Sequence, residues 1–178
     1  PITLVGHSMG AMIALRLAVK HPDLVKKLIL VNLPFFVGSK QARHAVRAAM
    51  NPFQRAYISR LGWILCSMSN NLLRGHVTKT LRTDGHDLPD GVIRDYSKHN
   101  WQSFKRSLVR VVFNHSVHED LQNCESHTKF IYSLNDPFLT AEALEIIERW
   151  SQLNKVEMVG EHRLPLARPK EVAFEICN

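Results

Sequence analysis

Residues 2–17 read ITLVGHSMGAMIALRL, and this stretch decides the fold. Apolar and β-branched residues lead into Gly6-His7-Ser8-Met9-Gly10, and an apolar pattern of helical period follows at once. The pattern predicts a strand, a sharp turn and a helix, the setting in which a G-x-S-x-G serine is raised above a sheet. We expect both glycines to leave room for backbone that a Cβ would obstruct. Ser8 is therefore the candidate nucleophile, and the Met9 amide, at the helix N-terminus, is a candidate oxyanion-hole donor.

Length and composition are those of one globular domain with a core: 178 residues, 45% apolar and 22% charged. The longest apolar run, residues 28–38, is interrupted and too short to cross a bilayer. We therefore expect no stable membrane insertion and a cytoplasmic protein. The cysteines, Cys66, Cys124 and Cys177, have no C-x-x-C spacing, so we expect buried thiols instead of disulfides or a zinc site.

The formal net charge of +7 is compatible with nucleic acid, an anionic surface or an acidic substrate as partner. Lysine and arginine are spread singly through helical stretches, and no basic segment is interleaved with aromatic residues. This distribution argues against a nucleic-acid module. It favours a solvated helical face, with attraction of an acidic substrate as the alternative.

Alternating strand and helix patterns mark both ends of the chain. The first helix should stop at His21-Pro22, because proline forbids continuation, and residues 24–32 read as a strand buried on both faces. Residues 129–133 and 155–160 predict two further strands. A helix capped by Thr140 should lie between them, and a short helix should begin at Lys170. The expected class is α/β with a parallel sheet.

A helical insertion separates these two ends. Apolar residues fall at helical spacing in residues 53–68 and 101–112, and Asp84-Gly85 and Asp90-Gly91 punctuate the region between them. We therefore expect three segments: core 1–34 with the serine turn, a helical cap 35–125, and core 126–178. The cap follows a strand that ends at the carboxyl edge of the sheet, where α/β folds bind ligands.

Ser8, Asp136 and His162 each follow a predicted strand, so parallel pairing should bring all three to one edge of the sheet. There His162 could take the Ser8 proton while Asp136 orients the imidazole. Each residue also has an ordinary alternative: a turn serine, a turn-forming Asp-Pro and a loop histidine. Asp120 is the alternative acid.

A metal site drawn from His115, His118, Glu119 and Asp120 is disfavoured, because solvated polar residues are expected at a helix end. Neither a phosphate-binding glycine loop nor a dinucleotide fingerprint is present in the sequence.

These motifs together resemble the capped α/β-hydrolase superfamily. The resemblance covers the serine turn with the strand that ends at Asn32, the acid turn Asn135-Asp136-Pro137, and the histidine loop His162-Arg163-Leu164-Pro165. It implies a serine hydrolase that acts through an acyl-enzyme on a small-molecule acyl substrate, with no metal and no organic cofactor. The chain should then be the C-terminal part of a hydrolase sheet with a helical cap.

Members of this superfamily carry half of the sheet and a second oxyanion-hole donor before the serine turn. This chain starts at Pro1 inside the nucleophile strand. The resemblance therefore implies an upstream half-sheet, and we expect residues 1–178 alone to expose an open strand edge and to aggregate.

Three functions remain open at this point. The first is hydrolysis of carboxylic esters or related acyl compounds, including thioesters and lactones. The second is hydrolysis of carbon–carbon bonds in acidic diketones on the same fold. The third is a catalytically silent fragment or binding module. Epoxide and haloalkane hydrolases are disfavoured, because they carry aspartate where Ser8 stands.

Overall fold

The computed structural model describes residues 1–50, 52–59, 62–71, 91, 95, 100–114, 116–150 and 153–178. The strands are β1 (Ile2–His7), β2 (Val25–Val31), β3 (His127–Tyr132) and β4 (Asn154–Glu157). The described helices are α1 (Met9–Lys20), α2 (Ser39–Ala49), α3 (Pro52–Tyr57), α4 (Gly62–Asn71), α5 (Trp101–Ser107), a π-helix (Leu108–Phe113), α6 (Val117–Gln122), α7 (Ala141–Arg149), α8 (Leu164–Ala167) and α9 (Pro169–Cys177). The chain divides into two compact units. The first unit comprises Pro1–Ala49 and Arg110–Asn178, and the second comprises Met50–Val109.

The four strands form one parallel sheet in the order β1-β2-β3-β4. This confirms the predicted α/β class and its parallel sheet. Thr140 caps α7 as predicted, since its Oγ1 accepts a hydrogen bond from the Ala143 amide at 3.2 Å. Because all four strands run the same way, the turns that follow them meet at one edge of the sheet.

The core of the first unit lies on both faces of this sheet, as alternation of side chains along a strand requires. Helix α1 packs on β1 and β2, and its buried residues are Ala11, Met12, Ala14, Leu15 and Ala18. A second cluster comprises Ile29, Val31, Ile131, Leu164 and Val172. Burial of each large apolar side chain contributes about 1.5–3 kcal/mol. The sheet that carries the turns is therefore held from both sides.

A buried lysine fastens the last helix to the sheet. Lys129 lies in β3 and is 5% exposed, yet its Nζ reaches the carboxylate of Glu175 at 2.9 Å and the carbonyl of the same residue at 2.6 Å. A buried charge is tolerated when it is paired and hydrogen-bonded. This pairing ties α9 to β3.

The second unit is helical in its described part. Helix α3 packs on α4, α4 packs on α5, and the Asn100 side chain caps α5 by accepting from the Ser103 amide at 2.8 Å. The predicted turn residues Asp84, Gly85 and Asp90 lie outside the described residues. The assignment of residues 35–125 to a cap stays a prediction.

Strand β1 pairs only with β2 among the described strands, and the side chains of Ile2 and Val5 are 56% and 42% exposed. One expectation about burial is wrong. Cys66 is buried as expected, but Cys177 is exposed at the end of α9. None of the described helices has the length and apolarity needed to cross a membrane.

Candidate active site

The candidate nucleophile occupies a strained turn between a strand and a helix. Strand β1 ends at His7, α1 begins at Met9, and Ser8 between them has φ 56° and ψ −127°. A positive φ is uncommon for a residue with a Cβ and persists where the surroundings enforce it. Gly6 provides the room, since a Cβ there would lie 2.5 Å from the Gly10 carbonyl oxygen.

The second glycine of the motif does not act in this way. A Cβ added at Gly10 would have nothing within 4 Å in the described part of the chain. The expectation that both glycines relieve crowding is therefore wrong for Gly10. The close approach of strand and helix falls on one side of the serine, at Gly6.

His162 lies in the loop after β4 and faces the serine. Its Nε2 is 2.6 Å from Ser8 Oγ, although the two residues are 154 positions apart in the chain. The histidine side chain is 17% exposed. The predicted base and the predicted nucleophile are thus brought within hydrogen-bond distance.

Asp136 occupies the turn after β3 and reaches the other nitrogen of this imidazole. Its Oδ2 is 2.8 Å from His162 Nδ1, and its side chain is 1% exposed. The other carboxylate oxygen accepts a hydrogen bond from the Phe138 amide at 2.9 Å. Both oxygens are therefore held, and the carboxylate is fixed in the orientation that receives an Nδ1–H donor.

Two aromatic side chains enclose the imidazole. The Phe138 ring meets it edge to face with centroids 4.5 Å apart, and the His7 ring lies 5.4 Å from it. Burial lowers the pKa of His7, although its hydrogen bond to the His162 carbonyl opposes the shift. A neutral His7 places no positive charge beside His162, so it does not repel an imidazolium that forms there.

Sequence reasoning assigned no role to His7 or Phe138. Each has a positional signal: His7 stands inside the G-x-S-x-G motif, and Phe138 stands two residues after the candidate acid. Neither signal shows a contact with His162, which lies 155 residues from His7 and 24 residues from Phe138 in the sequence.

Met9 is the first residue of α1, where backbone N–H groups have no acceptor within the helix. The helix N-terminus also carries partial positive charge. Its amide is therefore placed beside Ser8 as a donor to a developing oxyanion. This assignment stays a prediction.

The alternative acid has another partner. Asp120 is 2% exposed and pairs with the guanidinium of Arg16 on α1. The structure brings Asp136, and not Asp120, to His162 Nδ1.

The disfavoured metal site is only partly described. His115 lies outside the described residues, and the His118 ring lies near those of Phe35 and Trp150, with centroids 6.4 Å and 6.1 Å away. In the part of the chain that the structure describes, no three histidine, cysteine or acidic residues are grouped as metal ligands.

A family model described as alpha/beta hydrolase fold matches residues 1–161. An abhydrolase domain-containing protein of Schizosaccharomyces pombe is 27% identical over 191 residues, which cover 99% of this chain and 66% of that protein. The chain thus spans slightly less than two thirds of this curated relative.

Solved structures share the fold at lower identity. An N-formylmaleamic acid deformylase from Pseudomonas putida is 18% identical with a TM-score of 0.65, covering 99% of this chain and 66% of that one. A Bacillus megaterium epoxide hydrolase is 22% identical with a TM-score of 0.63, covering 99% of this chain and 68% of that one. Since the family model covers most of its length, the chain belongs to the alpha/beta hydrolase fold family.

Proposed function

We propose that the chain is a serine hydrolase of carboxylic esters or related acyl compounds, acting through an acyl-enzyme. The observation that carries the proposal is the relay of two contacts, Ser8 Oγ to His162 Nε2 at 2.6 Å and His162 Nδ1 to Asp136 Oδ2 at 2.8 Å. A nucleophile in contact with a base that a third group orients is the arrangement of nucleophilic catalysis.

In acylation, Ser8 Oγ attacks the carbonyl carbon of the substrate while His162 Nε2 takes the hydroxyl proton. The carbonyl electrons move to oxygen, and the Met9 amide donates to the oxyanion that forms. Asp136 stabilises the imidazolium. The tetrahedral intermediate collapses when His162 returns the proton to the leaving alcohol or thiol, which leaves an ester on Ser8.

In deacylation, water takes the place of the leaving group. His162 Nε2 removes a proton from the water as its oxygen attacks the acyl carbon, and it then protonates Ser8 Oγ as the acyl bond breaks. The products are a carboxylic acid and the free enzyme. These steps need only water as co-reactant.

The serine nucleophile distinguishes this proposal from epoxide hydrolysis, the activity named for one of the similar structures. The family resemblance implies that epoxide and haloalkane hydrolases carry aspartate at the position of Ser8. A serine hydroxyl within hydrogen-bond distance of an imidazole suits attack on an activated carbonyl carbon.

A fluorophosphonate probe tests the nucleophile directly. The parent chain should be labelled at Ser8 alone, and Ser8→Ala should abolish the labelling, since only a serine with an adjacent base is reactive enough at neutral pH. Ser126→Ala is the matched control, because Ser126 bonds the Val25 carbonyl and has no adjacent base in the described contacts. Labelling that survives Ser8→Ala would reject the assignment.

The substrate class needs a second measurement. Turnover of p-nitrophenyl esters of increasing chain length supports acyl hydrolysis. Turnover confined to an acidic diketone would support the carbon–carbon alternative. Absence of labelling and of turnover together would indicate a catalytically silent module.

A further inference from the structure

The loop that carries His162 is held through its backbone. Three consecutive carbonyls, those of Gly160, Glu161 and His162, each accept a hydrogen bond from a side chain of the sheet edge. The donors are Ser133 Oγ, Asn32 Nδ2 at 2.9 Å and His7 Nε2 at 2.8 Å.

These donors lie at the carboxyl ends of three neighbouring strands, each one residue further along the strand register than the last. His7 is the last residue of β1, Asn32 follows β2 directly, and Ser133 follows β3 directly. The three strands are neighbours in the order β1-β2-β3. Each of these three strand ends therefore provides one donor, and each donor binds the carbonyl of a different loop residue. We call the side chains of His7, Asn32 and Ser133 the carbonyl clamp.

We propose that the carbonyl clamp positions the His162 imidazole between Ser8 and Asp136. This inference rests on the proposed function. Residues 158–163 lie between β4 and α8, so their carbonyls cannot all be satisfied by a sheet or helix ladder. A base that must meet two partners at once needs support from outside its own side chain, within about 0.5 Å of the productive geometry.

Ser133 links two parts of the site. Its hydroxyl donates to the Gly160 carbonyl and accepts from the Asn135 amide at 3.3 Å. The hydroxyl thus joins the histidine loop to the turn that carries Asp136. Its removal should loosen the loop and the acid turn relative to each other.

Asn32 makes its hydrogen bond to the histidine loop although its own conformation and burial are unfavourable. It is 1% exposed and has φ 44°, a conformation that glycine also adopts. Its Nδ2 bonds the Glu161 carbonyl, but its Oδ1 is buried without a partner among the described residues. A buried unpaired acceptor is unfavourable. Glycine would adopt this conformation without strain, but it could not donate the hydrogen bond that Asn32 Nδ2 makes to the Glu161 carbonyl.

His7 must donate through Nε2–H, because its partner is a carbonyl oxygen. The Nε2 tautomer is therefore the one in place, and the neutral ring can sit beside His162 without opposing its positive charge. A glutamine at this position carries its amide nitrogen at a similar reach and could replace the donor. A leucine could not.

Two matched pairs of variants test the clamp. The first pair is His7→Leu, which removes the donor, and His7→Gln, which retains one. The second pair is Ser133→Ala and Ser126→Ala. Each of these two deletes one hydroxyl bond to a backbone carbonyl, but Ser126 bonds Val25 at the start of β2, at the opposite end of the sheet.

The measurements are the rate of fluorophosphonate labelling, the midpoint of thermal unfolding and the NMR resonance of the His162 Nδ1–H proton. We expect His7→Leu and Ser133→Ala to slow labelling by up to about 100-fold, the effect of a displacement of about 1 Å in a reacting group. The Nδ1–H resonance should broaden or disappear in the same variants. His7→Gln should keep a labelling rate and an Nδ1–H resonance closer to those of the parent than His7→Leu does. Ser126→Ala should change neither the rate nor the resonance.

The clamp is rejected if His7→Leu and Ser133→Ala keep the parent labelling rate and resonance. It is also rejected if the losses follow the unfolding midpoint alone, equally in Ser126→Ala, because that is a purely structural role. If the parent chain is not labelled at all, the proposed function fails, and the resonance of His162 still tests the clamp by itself.

Discussion

The replacement Gly6→Ala tests how closely β1 and α1 must approach for the serine turn to form. An added Cβ would lie 2.5 Å from the Gly10 carbonyl oxygen, 2.6 Å from the Ala11 Cα and 2.8 Å from the Ala11 amide nitrogen. Favourable contacts between carbon atoms begin at about 3.5 Å, so the shortfall is about 1 Å. All three atoms are backbone, and no side-chain rotation can relieve the contact. Helix α1 must therefore move away from the strand.

The expected effects are on stability and on reactivity. Overpacking of this kind lowers the free energy of unfolding by about 1–3 kcal/mol. A shift of about 1 Å at Ser8 should slow fluorophosphonate labelling by up to about 100-fold. Thermal denaturation and the labelling rate measure the two effects separately.

Gly10→Ala is the matched control, since its Cβ meets nothing within 4 Å of the described chain. Alanine is favoured over glycine inside a helix by about 0.8–1.0 kcal/mol, so this variant should be as stable as the parent or more stable. If Gly6→Ala is as stable and as reactive as Gly10→Ala, the close approach is not what shapes the serine turn.

Three further outcomes are expected. Asp136→Asn should lower turnover by about 10,000-fold with the fold intact, as loss of a triad carboxylate does, whereas Asp120→Asn should leave the labelling rate nearly unchanged; the reverse result would move the acid to Asp120. Burial holds the pKa of His7 below 6.5, so the unfolded chain takes up this proton first. Acidification through and below pH 6.5 should therefore lower the free energy of unfolding, and His7→Gln should reduce that slope in denaturant titrations at several pH values. The polypeptide 1–178 should self-associate in size-exclusion chromatography through the β1 edge, which is unpaired among the described strands, and Val5→Lys should reduce the association; a stable monomer at every concentration would contradict this.

The strands and the meeting of the three candidate residues could be predicted because their signals are local. An apolar run of four to six residues followed by a polar turn marks both a strand and its end. Parallel pairing then brings the turns together without any knowledge of side-chain contacts. Ser8, Asp136 and His162 were found in this way, each from its place after a strand.

The support around these residues could not be predicted in the same way. The carbonyl clamp acts on backbone oxygens, which every residue carries, so the sequence of the histidine loop contains no sign of it. The exposure of Val5 depends on what covers β1, and the open space at Gly10 depends on the path of the neighbouring backbone. Each of these is a property of three-dimensional packing.

Sheet register connects the core to the site. His7 pairs with Val31, and Val31 pairs with Ile131, so the residues that follow these strands are set side by side by the same ladder. A slip of one residue between β2 and its neighbours would move Asn32 by about 3.3 Å and turn its side chain to the other face. That distance exceeds the tolerance of a hydrogen bond. The buried cluster around Val31 and Ile131 opposes such a slip, because the slip would take Val31 out of its contacts with that cluster. The same apolar residues that stabilise the sheet therefore fix where the donors meet the histidine loop.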